Sequence, residues 1–156
     1  MRMATRAAKA GKSTLEESFG RKLVLLYNLY TQPFFEQIGR PEGINLAEWL
    51  VIYSVARQPH SGASDIIRMT GLHKTTISRV LAQLRTKGYI RQHDDPDDGR
   101  ARILSLTAAG AKIVERRSAM VHEWSARLTS GLTAAEKREF GRMLDAIIET
   151  SRARSD

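Results

Sequence analysis

Thr75, Thr76, Ser78 and Arg79 fall within five consecutive residues of a helical pattern, and their chemistry is hydrogen bonding rather than bond making. At about 100° per residue, Ile77, Val80, Leu81 and Leu84 gather on one side of that helix. Thr75 and Arg79 then lie roughly opposite, with Thr76 and Ser78 on the flanks. An arginine can donate two hydrogen bonds to the acceptors of a guanine edge, and hydroxyls reach bases or phosphates without bulk. Taken alone, the helix reads more readily as an ordinary amphipathic element with a solvated face.

Its surroundings narrow the choice. A short helix, Ser64 to Thr70, carries Ile66, Ile67 and Met69 and is broken by Gly71 before the helix from about His73 to Lys87. The order is helix, glycine-containing turn, helix. Two short β-prone runs follow, Tyr89 to Gln92 and Arg102 to Leu106, joined by Asp94, Asp95, Pro96, Asp97, Asp98 and Gly99. The Asp-Pro and Asp-Gly steps predict a hairpin turn. Four aspartates are an odd choice for a surface facing phosphates. If Arg100 enters a minor groove, Asp98 can hold its guanidinium extended through charge-assisted hydrogen bonds. A solvent-exposed acidic turn is the alternative.

Bond-making chemistry has little support. His60, His73, His93 and His122 show no metal-ligand spacing, and there is neither a phosphate-cradling glycine loop nor a nucleophile elbow. The chain has no cysteine, which excludes a disulfide framework, a thiol nucleophile and a thiol redox switch. Neither enzymatic activity nor a cofactor or metal is expected.

The elements that position these residues are mostly helical. Leu15, Phe19, Leu23, Leu26, Tyr30 and Phe34 form one stripe of a long first helix, with Ser13 and Thr14 able to cap it and Gly39, Pro41 and Gly43 following as a loop. Asn45 and Glu48 predict a capped second helix running through Trp49, Leu50 and Tyr53 to about Arg57, stopped by Pro59 and Gly62. After Thr107 a long helix (Ile113, Val114, Met120, Val121, Trp124, Leu128) ends near Gly131. The last opens with a capping box from Thr133 to Glu136 and continues through Phe140, Met143, Leu144, Ile147 and Ile148. The predicted order is α-α-α-α-β-β-α-α.

The 156 residues suit one domain, and the formal charge of +8 favours a polyanionic partner. No run is long and apolar enough for a membrane span, and the amino terminus lacks a secretory core, so a cytoplasmic protein with no membrane partner is expected. Residues 1–12 hold Arg2, Arg6, Lys9 and Lys12 without an acid and read as a disordered basic tail.

From Ser64 to Arg91, and again from Asp98 through Arg100 to Gly110, the sequence closely resembles the MarR family of winged helix-turn-helix transcriptional regulators. The first stretch matches that family's helix-turn-helix running into a wing strand. The second matches its Asp-x-Arg wing signature, strand end Leu106-Thr107 and following helix. The resemblance implies a MarR-like domain over residues 13–156, with the winged helix-turn-helix at about 46–106 and dimerisation helices at about 13–38 and 108–152. It implies a homodimeric repressor on a near-palindromic operator in double-stranded DNA. Lys74, Thr75, Thr76, Ser78 and Arg79 would meet bases and phosphates, Arg100 the minor groove and Arg102 the nearby backbone.

Family members commonly answer to small aromatic or phenolic ligands, and Tyr27, Tyr30, Trp49 and Tyr53 are the effector candidates, with core packing as their alternative role. His73 departs from the family's usual small polar or acidic cap, which puts capping of the recognition helix in question. A winged helix that serves as a protein-interaction module, or as a non-specific architectural DNA binder, is the alternative to an operator-specific regulator. Arg79 and the Asp98-x-Arg100 pair favour the regulator.

Overall fold

The computed structural model describes residues 15–95 and 102–153. The basic tail, the Ser13 and Thr14 cap and the wing-tip residues Asp97, Asp98 and Arg100 therefore lie outside the described residues. Helix α1 spans Leu15–Phe34. It does not end in a loop as the glycines and Pro41 suggested: a π-helical turn, Phe35–Gly39, and a single helical turn, Arg40–Glu42, continue it. Pro33 lies inside α1, where its missing N–H removes a ladder bond just before the change of pitch. Pro41 is accommodated at the start of the Arg40–Glu42 turn.

Helix α2, Leu46–Arg57, starts at the predicted capping box, with Asn45 and Glu48 exchanging hydrogen bonds of 2.9 Å in both directions. Helices α3, Ala63–Thr70, and α4, Lys74–Thr86, flank Gly71, whose φ of 69° closes α3 in the left-handed region that favours glycine. Strands β1, Ile90–Asp94, and β2, Arg102–Leu106, form the antiparallel hairpin with Ile90 opposite Leu106 and Asp94 opposite Arg102. Helix α5, Ala108–Leu128, is capped by Thr107, and α6, Ala134–Arg152, by the Thr133–Glu136 box.

The element order is the one read from the sequence, but β1 is shifted. Tyr89 stays outside the strand because its N–H bonds Leu84 O at the helix exit, while His93 and Asp94 join the ladder. The hairpin also gains an edge that the sequence did not reveal. Leu104 donates to Ser61 O at 2.9 Å, and Gly62 bridges Ile103, so the segment entering α3 lies beside β2.

The core is organised around α2, which packs on α3, α4, β2 and α5. Trp49, Val51, Ile52 and Val55 from α2 meet Ile66, Ile77, Val80, Leu84, Ile90, Leu104 and Ile113. This cluster fixes the orientation of α4, because removing its apolar side chains from water requires that one face of the helix point inward.

Candidate nucleic-acid interface

Ile77, Val80, Leu81 and Leu84 are buried, so the opposite side of α4 is left to solvent. Lys74, Thr75, Ser78 and Arg79 are exposed there and Thr76 is half-buried. The sequence placed these residues correctly relative to the buried face. Among the described residues, the side chains of Lys74, Ser78 and Arg79 have no intrachain hydrogen-bond or ion-pair partner, and α4 contains no acid. An outward helix face with free cations and hydroxyls, carried on a packed scaffold, is suited to an external array of acceptors.

His73 does cap this helix. Its Nδ1 accepts the Thr75 backbone N–H at 3.4 Å and lies 2.9 Å from Thr75 Oγ1. An imidazole nitrogen thus takes the place of the carboxylate or hydroxyl oxygen usual at such a position.

The wing is braced against the same helix. Arg85 Nη1 donates to Gln92 Oε1 at 2.8 Å, joining the last turn of α4 to β1. Arg102 lies opposite Asp94, its Nε 3.7 Å from the carboxylate, so Asp94 serves as a strand partner rather than a turn residue. Arg91, which sequence reasoning did not single out, is exposed on β1 and adds a cation to the wing. Its neighbours gave no signal, because a lone arginine in a short strand is common on any surface.

The four aromatic candidates do not converge. Trp49 is buried against Tyr53, ring centroids 5.5 Å apart. Tyr30 lines a cavity of about 290 Å³ with Leu29, Pro33, Gln37, Trp124, Arg127 and Leu128, whereas Tyr27 is exposed on α1. A wider groove of about 740 Å³ lies between α3, the α3–α4 turn and the end of α6, where Arg152 donates to Arg68 O at 2.7 Å. Among the described residues no group of His, Asp or Glu side chains is gathered as a metal site, and no helix is long and apolar enough to cross a membrane.

Two ion-paired junctions tie α4 and α5 to the segment around the start of α2. Glu48, buried in α2, pairs with Lys87 at the end of α4, Nζ to Oε1 2.8 Å, and Lys87 also donates to Gly43 O at 2.8 Å. Glu42 sits between Arg116 and Arg117 of α5, at 2.7 and 2.8 Å. The hydrogen bonds from Arg116 lead the effects that hold the Glu42 carboxyl below its ordinary range, against some opposing desolvation.

Residues 42–101 match the family model of the MarR family. An HTH-type transcriptional repressor of Mycobacterium tuberculosis is 28% identical over 107 residues, 69% of this chain and 77% of its own length. A MarR/EmrR family regulator from Acinetobacter sp. ADP1 superposes with a TM-score of 0.80 at 21% identity, over 90% of this chain and 99% of its own. Bordetella bronchiseptica BpsR, whose DNA binding is regulated by 6-hydroxynicotinic acid, superposes with a TM-score of 0.74 at 21% identity, covering 88% and 97%.

Proposed function

We propose that this chain, which matches the MarR family model over residues 42–101, is a member of that family and a DNA-binding transcriptional repressor that works as a homodimer. The observation that carries the reading is the outward face of α4: Lys74, Thr75, Ser78 and Arg79 are exposed while the opposite face is locked into the core. In this reading Thr75, Thr76, Ser78 and Arg79 enter a major groove, Lys74 takes a phosphate, Arg102 reaches the backbone and Arg100 the minor groove.

The dimer is inferred from what the single chain leaves uncovered. Phe19, Leu23, Val24, Leu25, Tyr27 and Leu29 on α1 are exposed, as are Met143, Ile147 and Ile148 on α6. Large apolar side chains left exposed in this number on two helices mark an interaction surface. Two copies joined by these helices present two α4 faces, and a two-fold axis between them requires a near-palindromic operator.

A small aromatic or phenolic ligand releases the repressor in this account. The Tyr30 cavity is the place for it, with the Trp124 ring for stacking and the Arg127 guanidinium for a carboxylate or phenolate. Catalysis has no role. The direct test is titration of the selected operator with Arg79→Ala. A loss of about 1–3 kcal/mol confined to one base position supports the reading; unchanged binding removes α4 from the interface.

A further inference from the structure

The amide-linked neighbours Glu42 and Gly43 grip two different elements. The Glu42 carboxylate takes Arg116 through both its oxygens, Nη2 to Oε2 at 2.7 Å and Nε to Oε1 at 3.3 Å, and Arg117 Nε at 2.8 Å. The side chain of Glu42 is only 8% exposed. One residue later, the carbonyl of Gly43 accepts from Lys87 Nζ at the C-terminal end of the recognition helix. Lys87 is itself held by the buried Glu48. The strap has almost no slack, since only Gly43 and Ile44 separate the helical turn ending at Glu42 from the Asn45 cap of α2, and Ile44 is buried.

A second attachment makes this strap an angular device. The start of α5 is already fixed to the exit of α4: Thr107 Oγ1 donates to Gly88 O at 2.6 Å, and Thr107 N donates to Tyr89 O at 3.0 Å. That junction is the pivot, Ile113 packs into the core beside it, and the Glu42 clamp, further along α5, defines the angle. At about 1.5 Å per residue, the Glu42 clamp lies roughly 9 Å further along α5 than the Gly110 turn. The far end of α5, near Leu128, lies roughly 27 Å from the same point.

We propose that Glu42, with Arg116, Arg117 and Lys87, fixes the angle between the recognition helix and α5, and so sets the half-site spacing that a dimer of this chain accepts. These are positioning residues, acting on DNA through α4 and not by touching it. A swing of about 5° about the pivot displaces the far end of α5 by about 2 Å. With both copies moving, the relative shift is about 4 Å, comparable with the rise of about 3.4 Å per base pair. Loosening the clamp therefore blurs spacing by about one base pair. The DNA arm of this inference rests on the proposed function; the angular arm does not.

The experiment separates the two. The chain has no cysteine, so Gln83→Cys on α4 and Glu123→Cys on α5 accept a unique pair of spin labels, diluted with unlabelled chain so that only the distance within one copy is read. The expected result is a single narrow distribution for the parent and a distribution at least twice as broad with Glu42→Ala. Where Glu42→Ala does not fold, Arg116→Ala with Arg117→Ala removes the same pairs from the solvent side. An unchanged width in a folded variant overturns the proposal.

On the selected operator, the parent should prefer the optimal spacing over one lengthened by a base pair at least tenfold, and the clamp variant no more than about threefold. Equal weakening on both spacings overturns the proposal, because a merely structural role predicts that pattern. Should the parent bind no operator, the proposed function fails and the label distances alone decide this inference.

Discussion

Lys87 Nζ lies 2.8 Å from Glu48 Oε1 although the two residues are 39 positions apart in the chain. The carboxylate is almost wholly buried, and its other oxygen holds the Asn45 N–H that opens α2. Removing the cation strands a buried charge, which costs several kcal/mol when both partners are fully enclosed. Lys87 keeps some exposure, so Lys87→Ala is expected to cost about 2 kcal/mol. Glu48→Gln, which keeps an acceptor for Asn45 and removes the charge, should cost less. Urea unfolding of the two variants checks the order; equal losses would mean that leaving the Glu48 charge unpaired adds no penalty to the loss of the pair.

Gly110 packs its Cα face against the backbone carbonyl of Tyr89, so a Cβ at this position collides with main chain rather than with a movable side chain. Gly110→Ala should therefore destabilise the fold by about 1–3 kcal/mol or more, despite the higher helix propensity of alanine. Gly20 on α1 has open space around its Cα, and Gly20→Ala should be neutral or stabilising. Thermal melts of the pair test the contrast, and a stable Gly110→Ala protein would contradict this packing of α5 on the wing.

Helix α4 opens on an imidazole cap. His73→Ala removes the acceptor of the Thr75 N–H and is expected to cost about 1 kcal/mol, whereas His73→Asn restores a side-chain oxygen and should be close to neutral. If both variants melt with the parent, the His73–Thr75 contact contributes nothing to stability.

Glu42 makes acid stability part of the clamp. Its carboxyl is held below the ordinary value of 4.5, first by the Arg116 hydrogen bonds. A carboxyl depressed on folding contributes stability that is fully present above its unfolded value and is lost as pH falls through the folded one. Stability of the parent should therefore begin to fall below about pH 5. Glu42→Gln should be less stable at neutral pH and show a shallower acid slope. Denaturant midpoints between pH 3 and 7 measure it; parallel slopes would remove Glu42 from the acid transition.

Local signals in the sequence were sufficient for the elements that announce themselves. The Asn45–Glu48 and Thr133–Glu136 boxes, the Gly71 turn and the buried face of α4 are each written within a few residues, so periodicity and capping chemistry reach them. The exposed face of α4 was legible for the same reason, being the complement of a buried stripe. What was not legible joins distant positions. Glu42 meets Arg116 across 74 residues, the Ser61 carbonyl finds Leu104 through a bend with no strand pattern, and Arg85 reaches Gln92 only because the chain turns at Gly88. Helical residues after Gly39 were read as loop because proline and glycine were weighed as breakers, while Pro41 occupies a first turn that tolerates it.

The most direct test of the account is selection of the purified, sized protein against a random DNA library, followed by titration of the enriched sequence at several salt concentrations. The account predicts a dimer that enriches a near-palindrome with half-site centres about one helical turn, or a multiple of it, apart, bound at least about 10³-fold more tightly than random DNA. Binding that falls steeply with salt and shows no preference among sequences would contradict it, leaving the charge of +8 as the sole source of affinity.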